Sequence, residues 1–242
     1  MELFEQMIQH TSVRNFLTKE IPEAVKEKLV TAAKSPSSSH FIQAYSLIEV
    51  KDPEKLVAIE NISNARGYTD TGAYYVFVAD LNKHAQVLNQ AKQDLTPLRT
   101  VESLVVAIVD ATIAAQTMAT YAESIDLGIC YIGGLRNDLF RIKELLNLPE
   151  LTYPIFGLTV GYPAKKNEVK PRIPLAGTLN IDSYQKLTPE TLTKYDEIMA
   201  SYYANRSSNQ QNGNWSDTIL QHFHQILRPD TSEFLKEQGF RL

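Results

Sequence analysis

The stretch VESLVVAIVDATIAAQTMATYAESIDLG, Val101 to Gly128, limits what this chain can fold into more than any other part of it. Apolar residues fall on almost every side of a helical wheel, so a stable structure has to cover this segment. Glu102, Asp110, Gln116 and Glu123 interrupt it, and its longest charge-free run is too short to cross a hydrocarbon layer of roughly 30 Å. The expectation is one long helix buried on nearly all sides, with Gly128 as its C-cap.

The remaining elements must pack around that helix. Two β-branched and aromatic runs, Tyr45 to Val50 and AYYVFVAD from Ala73 to Asp80, predict strands, and ICYIGG and YPIFGLTVGYP add two more. Between them lie helical patterns: Glu2 to Gln9, a segment opened by Pro22 and stopped at Pro36, and another opened by Pro53. NDLFRIKELLNL follows, with Asn137 as the expected N-cap. From Pro163 to Leu187 no period is visible. PETLTKYDEIMASYYANR reads as an amphipathic helix, Ser207 to Asn214 as a polar loop, and WSDTILQHFHQIL with a short final helix closes the chain. Four strands separated by more numerous helices predict a layered α+β or α/β domain.

The chain has 242 residues, a net charge of −4 and one cysteine, Cys130. A mildly acidic chain without a concentrated basic face is a poor nucleic-acid binder. One cysteine permits neither an internal disulfide nor a multi-cysteine metal site. The N-terminal residues lack a basic region followed by an apolar one, so the expected location is cytoplasmic, with no membrane partner. No Gly-x-Gly-x-x-Gly, Walker loop, His-Glu-x-x-His or Gly-x-Ser-x-Gly occurs. His222 and His224, two apart, would not share a helix face, and no metal site is expected.

Four stretches carry candidate chemistry. His10-Thr11-Ser12-Val13-Arg14 pairs two basic groups with a hydroxyl, which suits an anion but equally suits a histidine at a helix C-terminus. KSPSSSHF offers small donors to a polar ligand, or is a plain linker. CYIGGLRND ends in Gly133-Gly134, where backbone can approach a flat ligand closely or simply turn. In NEVKPRIPL, Lys170 and Arg172 flank a stiffening proline and can face one phosphate or solvent.

The order of these blocks resembles the FMN-dependent nitroreductase family, in particular its oxygen-insensitive NADPH nitroreductases and NADPH–flavin oxidoreductases. The similarity runs through HTSVRNF, SPSSSHFIQ, CYIGGLRND, FGLTVGYPAKKNEVKPRIP and YDEIMASYYANRSSNQQNGNWSD, essentially the whole chain. It implies an α+β sandwich, a central mainly antiparallel sheet flanked by helices, in an intertwined homodimer with FMN at the interface. It also implies a single domain over 1–242, with 188–242 as a helical C-terminal extension.

By the same resemblance, His10, Ser12 and Arg14 hold the flavin phosphate and ring polar atoms, and Lys170 with Arg172 completes the phosphate clamp. Ser38 and Ser39 belong to the loop against the ring. Tyr131, Ile132, Gly133 and Gly134 lie along the isoalloxazine. Arg206 would meet the 2′-phosphate of NADPH, and Arg136 would border the acceptor pocket. Two positions depart from the family pattern: Ala65 stands where a glutamine often reaches the ring, and Gln211 where a second arginine is common. The implied activity is a two-electron ping-pong transfer from NADPH or NADH to nitroaromatics, quinones or free flavin. No side-chain nucleophile or general acid takes part. The alternatives are a flavoprotein of the same fold with other reductive chemistry and a cofactor-free interaction protein.

Overall fold

A computed structural model describes residues 2–68 and 71–241. In chain order the elements are α1 (Leu3–Ile8), β1 (Asn15–Phe16), α2 (Glu23–Ala33), β2 (Tyr45–Glu49), α3 (Pro53–Ser63), β3 (Ala73–Asp80), α4 (Asn82–Gln90) and α5 (Val101–Ser124). There follow β4 (Gly128–Ile132), α6 (Leu139–Leu146), β5 (Thr152–Gly161), β6 (Pro163–Lys165), α7 (Pro189–Asn205), α8 (Trp215–His222) and α9 (Thr231–Glu237). The class is α+β, as the resemblance implied.

Four strands form an antiparallel sheet in the order β2-β3-β5-β4, and β1 pairs with β6 in a small second sheet. Side chains alternate across a strand, and β3 shows why its run is apolar throughout. Tyr75, Phe77 and Ala79 join the cluster containing Leu29, Ala111 and Met118 of α2 and α5. Tyr74, Val76 and Val78 join Leu56, Ile59 and Ile142 of α3 and α6 on the opposite face. Helices cover both faces of β3, and every position on it but the half-buried Asp80 at its end is buried.

Thr100 caps α5, its hydroxyl accepting from Ser103 N at 3.2 Å. Ala107, Ala111, Ala114, Ala115, Ala119 and Ala122 are all buried, and these short side chains let the helix lie close to the sheet. Two expectations need correction here. The helix is not covered on nearly all sides: Val101, Val105, Val109 and Ile113 remain exposed along one face of the single chain. Gly128 is not its C-cap. The helix ends at Ser124, Asp126 takes the left-handed turn at φ 63°, and Gly128 opens β4. A Cβ on Gly128 would lie 2.5 Å from Val13 Cγ2, so the glycine serves close approach of the N-terminal segment. Although long and apolar enough to raise the question of a membrane, α5 packs on the sheet as the core helix.

Smaller differences have local causes. Asp138 caps α6 by accepting from Arg141 N at 2.9 Å, while the neighbouring Asn137 donates to the Ile62 carbonyl. A capping box between Asn214 and Asp217 starts α8, which stops at His222, so His224 lies beyond its end.

Contacts divide the chain into two units, Met1–Asn167 with Arg228–Leu242, and Glu168–Leu227. The first contains both sheets and α1 to α6 with α9. The second is built on α7 and α8, and its core is Tyr195, Met199 and Tyr203, packed with Ile173, Tyr202 and Trp215.

Candidate functional site

In the first unit, the segment after α1 runs alongside β4, with Val13 N donating to the Ile129 carbonyl at 2.9 Å. Val13 is buried, and alternation turns its neighbours Ser12 and Arg14 the other way. Both act on the Cys130 thiol. Burial pushes that thiol up, and the Arg14 charge and Ser12 hydroxyl draw it part of the way back. Cys130 is a free, buried thiol. Arg14 is exposed and, among the described residues, has no carboxylate partner. Such a guanidinium retains its full fork for an anion.

His10 sits differently. Its Nδ1 lies 2.7 Å from Glu123 Oε1 near the end of α5, and Gln6 donates to the Glu123 carbonyl. With Nδ1 donating to the carboxylate, Nε2 is the ring atom left for a ligand.

From Cys130 the chain continues directly into Tyr131–Gly134. The Tyr131 hydroxyl donates to Gln116 Oε1 at 3.2 Å, and its ring meets Phe156 edge-on at 5.0 Å. Its side chain is thus taken up by the α5 side of the sheet. A 3-10 turn from Gly133 to Asp138 follows. A Cβ on Gly134 would come within 2.5 Å of the Ser63 carbonyl, so this glycine lets the turn seat on the end of α3. A Cβ on Gly133 would meet only the Arg136 guanidinium, at 3.5 Å and beyond, so no close approach demands a glycine there. Arg136 itself is half-buried and donates to the Ile155 carbonyl; burial lowers its pKa. Ala65 packs against the α3–α6 cluster and presents no polar atom of its own side chain.

The serine loop is held by the same long helix. Ser38 Oγ donates to Asp110 Oδ2 at 2.7 Å, and Ser39 N to Oδ1 at 3.3 Å. His40, Phe41 and Gln43 have φ of 48°, 59° and 52°. Three non-glycine residues in the left-handed region within four positions cost about 1–3 kcal/mol each, a strain typical of functional loops. Asp110, Gln116 and Glu123 of α5 therefore each hold one candidate block: the serine loop, Tyr131 and His10. Asp110 and Glu123 are about 20 Å apart along the helix at about 1.5 Å per residue. Within one chain the serine loop is thus held at the middle of the helix and His10 at its C-terminal end.

In the second unit, the Pro171 carbonyl accepts from the Tyr195 hydroxyl at 3.1 Å, with exposed Lys170 and Arg172 on either side. Lys170 Nζ donates to the Tyr203 hydroxyl at 3.1 Å and lies over that ring. Neither cation has a carboxylate partner among the described residues. Arg206, at the end of α7, stacks its guanidinium 5.7 Å from the Tyr202 ring centre. The Gln211 backbone N–H reaches the Tyr203 carbonyl. Each unit thus carries exposed cations of the kind that bind a phosphate ester: Arg14 with the Ser12 hydroxyl in the first, and Lys170 with Arg172 in the second.

Residues 7–162 match the Nitroreductase family, and residues 170–242 match the Nitroreductase family, C-terminal domain. The chain belongs to the nitroreductase family. It is 36% identical to an FMN reductase (NADPH) of Bacillus subtilis over 241 residues, covering 98% of this chain and 97% of that protein. It is also 36% identical over 237 residues to an oxygen-insensitive NADPH nitroreductase of Salmonella typhimurium, covering 98% and 97%. The solved NfrA1 nitroreductase of B. subtilis superposes with a TM-score of 0.94 at 35% identity, covering 99% of each chain.

Reading motifs missed the three α5 side chains that anchor this nitroreductase's candidate blocks. Their signal was present: polar residues breaking an otherwise apolar helix are there because something binds them.

Proposed function

We propose that this nitroreductase binds FMN and moves two electrons from NAD(P)H to small acceptors such as nitroaromatics, quinones or free flavin. The observation that carries this reading is Arg14, without a carboxylate partner among the described residues and beside Ser12, on a segment bonded to the strand that leads into Gly133-Gly134. The printed names of the relatives, an FMN reductase and a nitroreductase that both use NADPH, point the same way.

When bound, FMN would supply the hydride and two-electron chemistry. The residues of the chain have other tasks. Arg14, Lys170 and Arg172 would neutralise the phosphate and Ser12 would add a hydroxyl donor, while His10 Nε2, an acceptor when Nδ1 donates to Glu123, would take an N–H or O–H of the ligand. The Tyr131–Gly134 backbone and the Ser38–Ser39 loop orient the ring. Backbone N–H groups there stabilise negative charge without needing a titrating side chain. Arg206 selects for the NADPH 2′-phosphate, alone because Gln211 brings no charge.

We assign the active form as a homodimer. The exposed stripe of Val101, Val105, Val109 and Ile113 supports it, since i, i+4 spacing gives one continuous apolar face on the core helix. The buried, unpaired thiol of Cys130 suits the reducing cytoplasm, where we place the protein.

The test is the visible spectrum of the purified protein, followed by FMN titration. Arg14→Ala and Arg172→Ala should each weaken FMN binding about 10- to 100-fold, the loss of a charge-assisted bond. Arg206→Ala should raise KM for NADPH about tenfold and leave KM for NADH unchanged. A colourless protein that FMN cannot restore would reject the proposal. Full flavin affinity in both arginine variants would reject the phosphate assignment.

A further inference from the structure

Asp110 lies in the apolar middle of α5 and is only 3% exposed. No lysine or arginine pairs with it among the described residues. A buried carboxylate without a cation is costly unless fixed donors fill its lone pairs. Here three donors do so, and all come from one loop: Ser38 Oγ at 2.7 Å, Ala44 N at 3.0 Å and Ser39 N at 3.3 Å. Ser38 Oγ also accepts from Gln43 N at 2.7 Å, so the carboxylate reaches the far side of the loop through that hydroxyl. A second clamp comes from α4, where His84 Nε2 lies 2.7 Å from the Ile42 carbonyl.

The strained residues His40, Phe41 and Gln43 lie between these anchors. A loop of exposed residues with this much strain relaxes unless it is held at both ends. Below it, Ser39, His40, Ile42, His84, Leu88 and Val106 line a cavity of about 480 Å³, so little packing supports the loop from beneath. The carboxylate is therefore the principal fixture of its shape.

We propose that Asp110 is a positioning residue for the flavin ring, acting through Ser38 to fix the strained Ser39–Gln43 loop in its ring-facing form. The inference rests on the FMN reading above. It requires an acceptor-only group. Asparagine has the same size, but its amide must turn an N–H towards either Ser39 N–H or the Ser38–Ala44 pair, leaving like groups opposed.

The experiment compares full-length wild type with Asp110→Asn and Ser38→Ala. Affinities for FMN and for riboflavin, which lacks the phosphate, are measured by fluorescence quenching, together with kcat and KM for menadione. Asp110→Asn should weaken both flavins by the same factor, about tenfold, and lower kcat for menadione more than it raises KM. Ser38→Ala should do the same to a smaller extent, and carries the test if Asp110→Asn fails to fold. Arg14→Ala, by contrast, should weaken FMN and spare riboflavin.

Wild-type flavin affinities and kcat in either folded variant would overturn the proposal, even if the melting temperature had fallen, because the residue would then be structural only. A loss confined to FMN would overturn it too, by placing the effect at the phosphate. Wild type that binds neither flavin would sink the parent reading and this one with it. Wild type that binds, matched by its variants, sinks this one alone.

Discussion

Strand β3 and helix α7 both carry aromatic and apolar residues, but they end up in different surroundings. In β3, Tyr74, Tyr75, Val76, Phe77 and Val78 are each at most 1% exposed, because helices pack on both faces. In α7 the buried positions are Tyr195, Met199 and Tyr203, one stripe at i, i+4 spacing, while Ile198 stays exposed. The first unit completes its core from its own residues. The second has a small cluster that must be worth less per residue, since little apolar area leaves water. The cationic blocks are distributed accordingly: Arg14 sits against the rigid sheet, and Lys170 and Arg172 on the lightly buried unit.

The sharpest way to break this comparison is by truncation. Phe77→Ala should cost about 3–5 kcal/mol of stability, and Met199→Ala about 2 kcal/mol, because a small cluster collapses more readily into the gap. Urea unfolding measures both; equal losses would mean that α7 is as deeply embedded as β3.

The exposed face of α5 belongs with neither region in the single chain. Ile113→Asp should raise the dissociation constant of the proposed homodimer by on the order of 100-fold, since the carboxylate must be desolvated on assembly. Sedimentation equilibrium reads this, and an undisturbed dimer would place the interface elsewhere.

The smallest effect concerns Tyr68, stacked on Tyr74 at 4.9 Å beside β3. Burial pushes its hydroxyl up to about 12 from an ordinary 10.0. Between those values the folded state holds a proton that the unfolded chain has released. Its contribution is thus complete below pH 10 and is lost as pH rises towards 12. Tyr68→Phe should flatten part of that decline in the melting temperature. Identical profiles would show Tyr68 to be accessible to water.

Much of the fold was legible because apolar runs and proline boundaries are local signals. The bounds of β3 follow from its composition, and Pro53 and Pro189 stand at helix starts that the backbone obeys. Gly128 was misread because a glycine ending a helix and a glycine admitting Val13 look alike in one dimension. Asn137 and Asp138 are both fit caps, and only the register of α6 chooses between them. Of the candidate site, the cationic and glycine blocks could be named from their order, whereas Asp110, Gln116 and Glu123 looked like mere interruptions of an apolar helix.

The sequence by itself determined where helices and strands form, which segment lies at the centre, and which residue types are available to hold a phosphate and a flat ring. Periodicity and side-chain chemistry act over a few neighbouring residues, so they can be read along the chain. Only the tertiary structure decided what those residues are bonded to. It gave His10 to Glu123, Arg136 to the Ile155 carbonyl and the serine loop to Asp110, and it gave Arg14 no carboxylate among the described residues. Those pairings join positions as much as 113 residues apart, and long-range partners are chosen by packing, which no local pattern encodes.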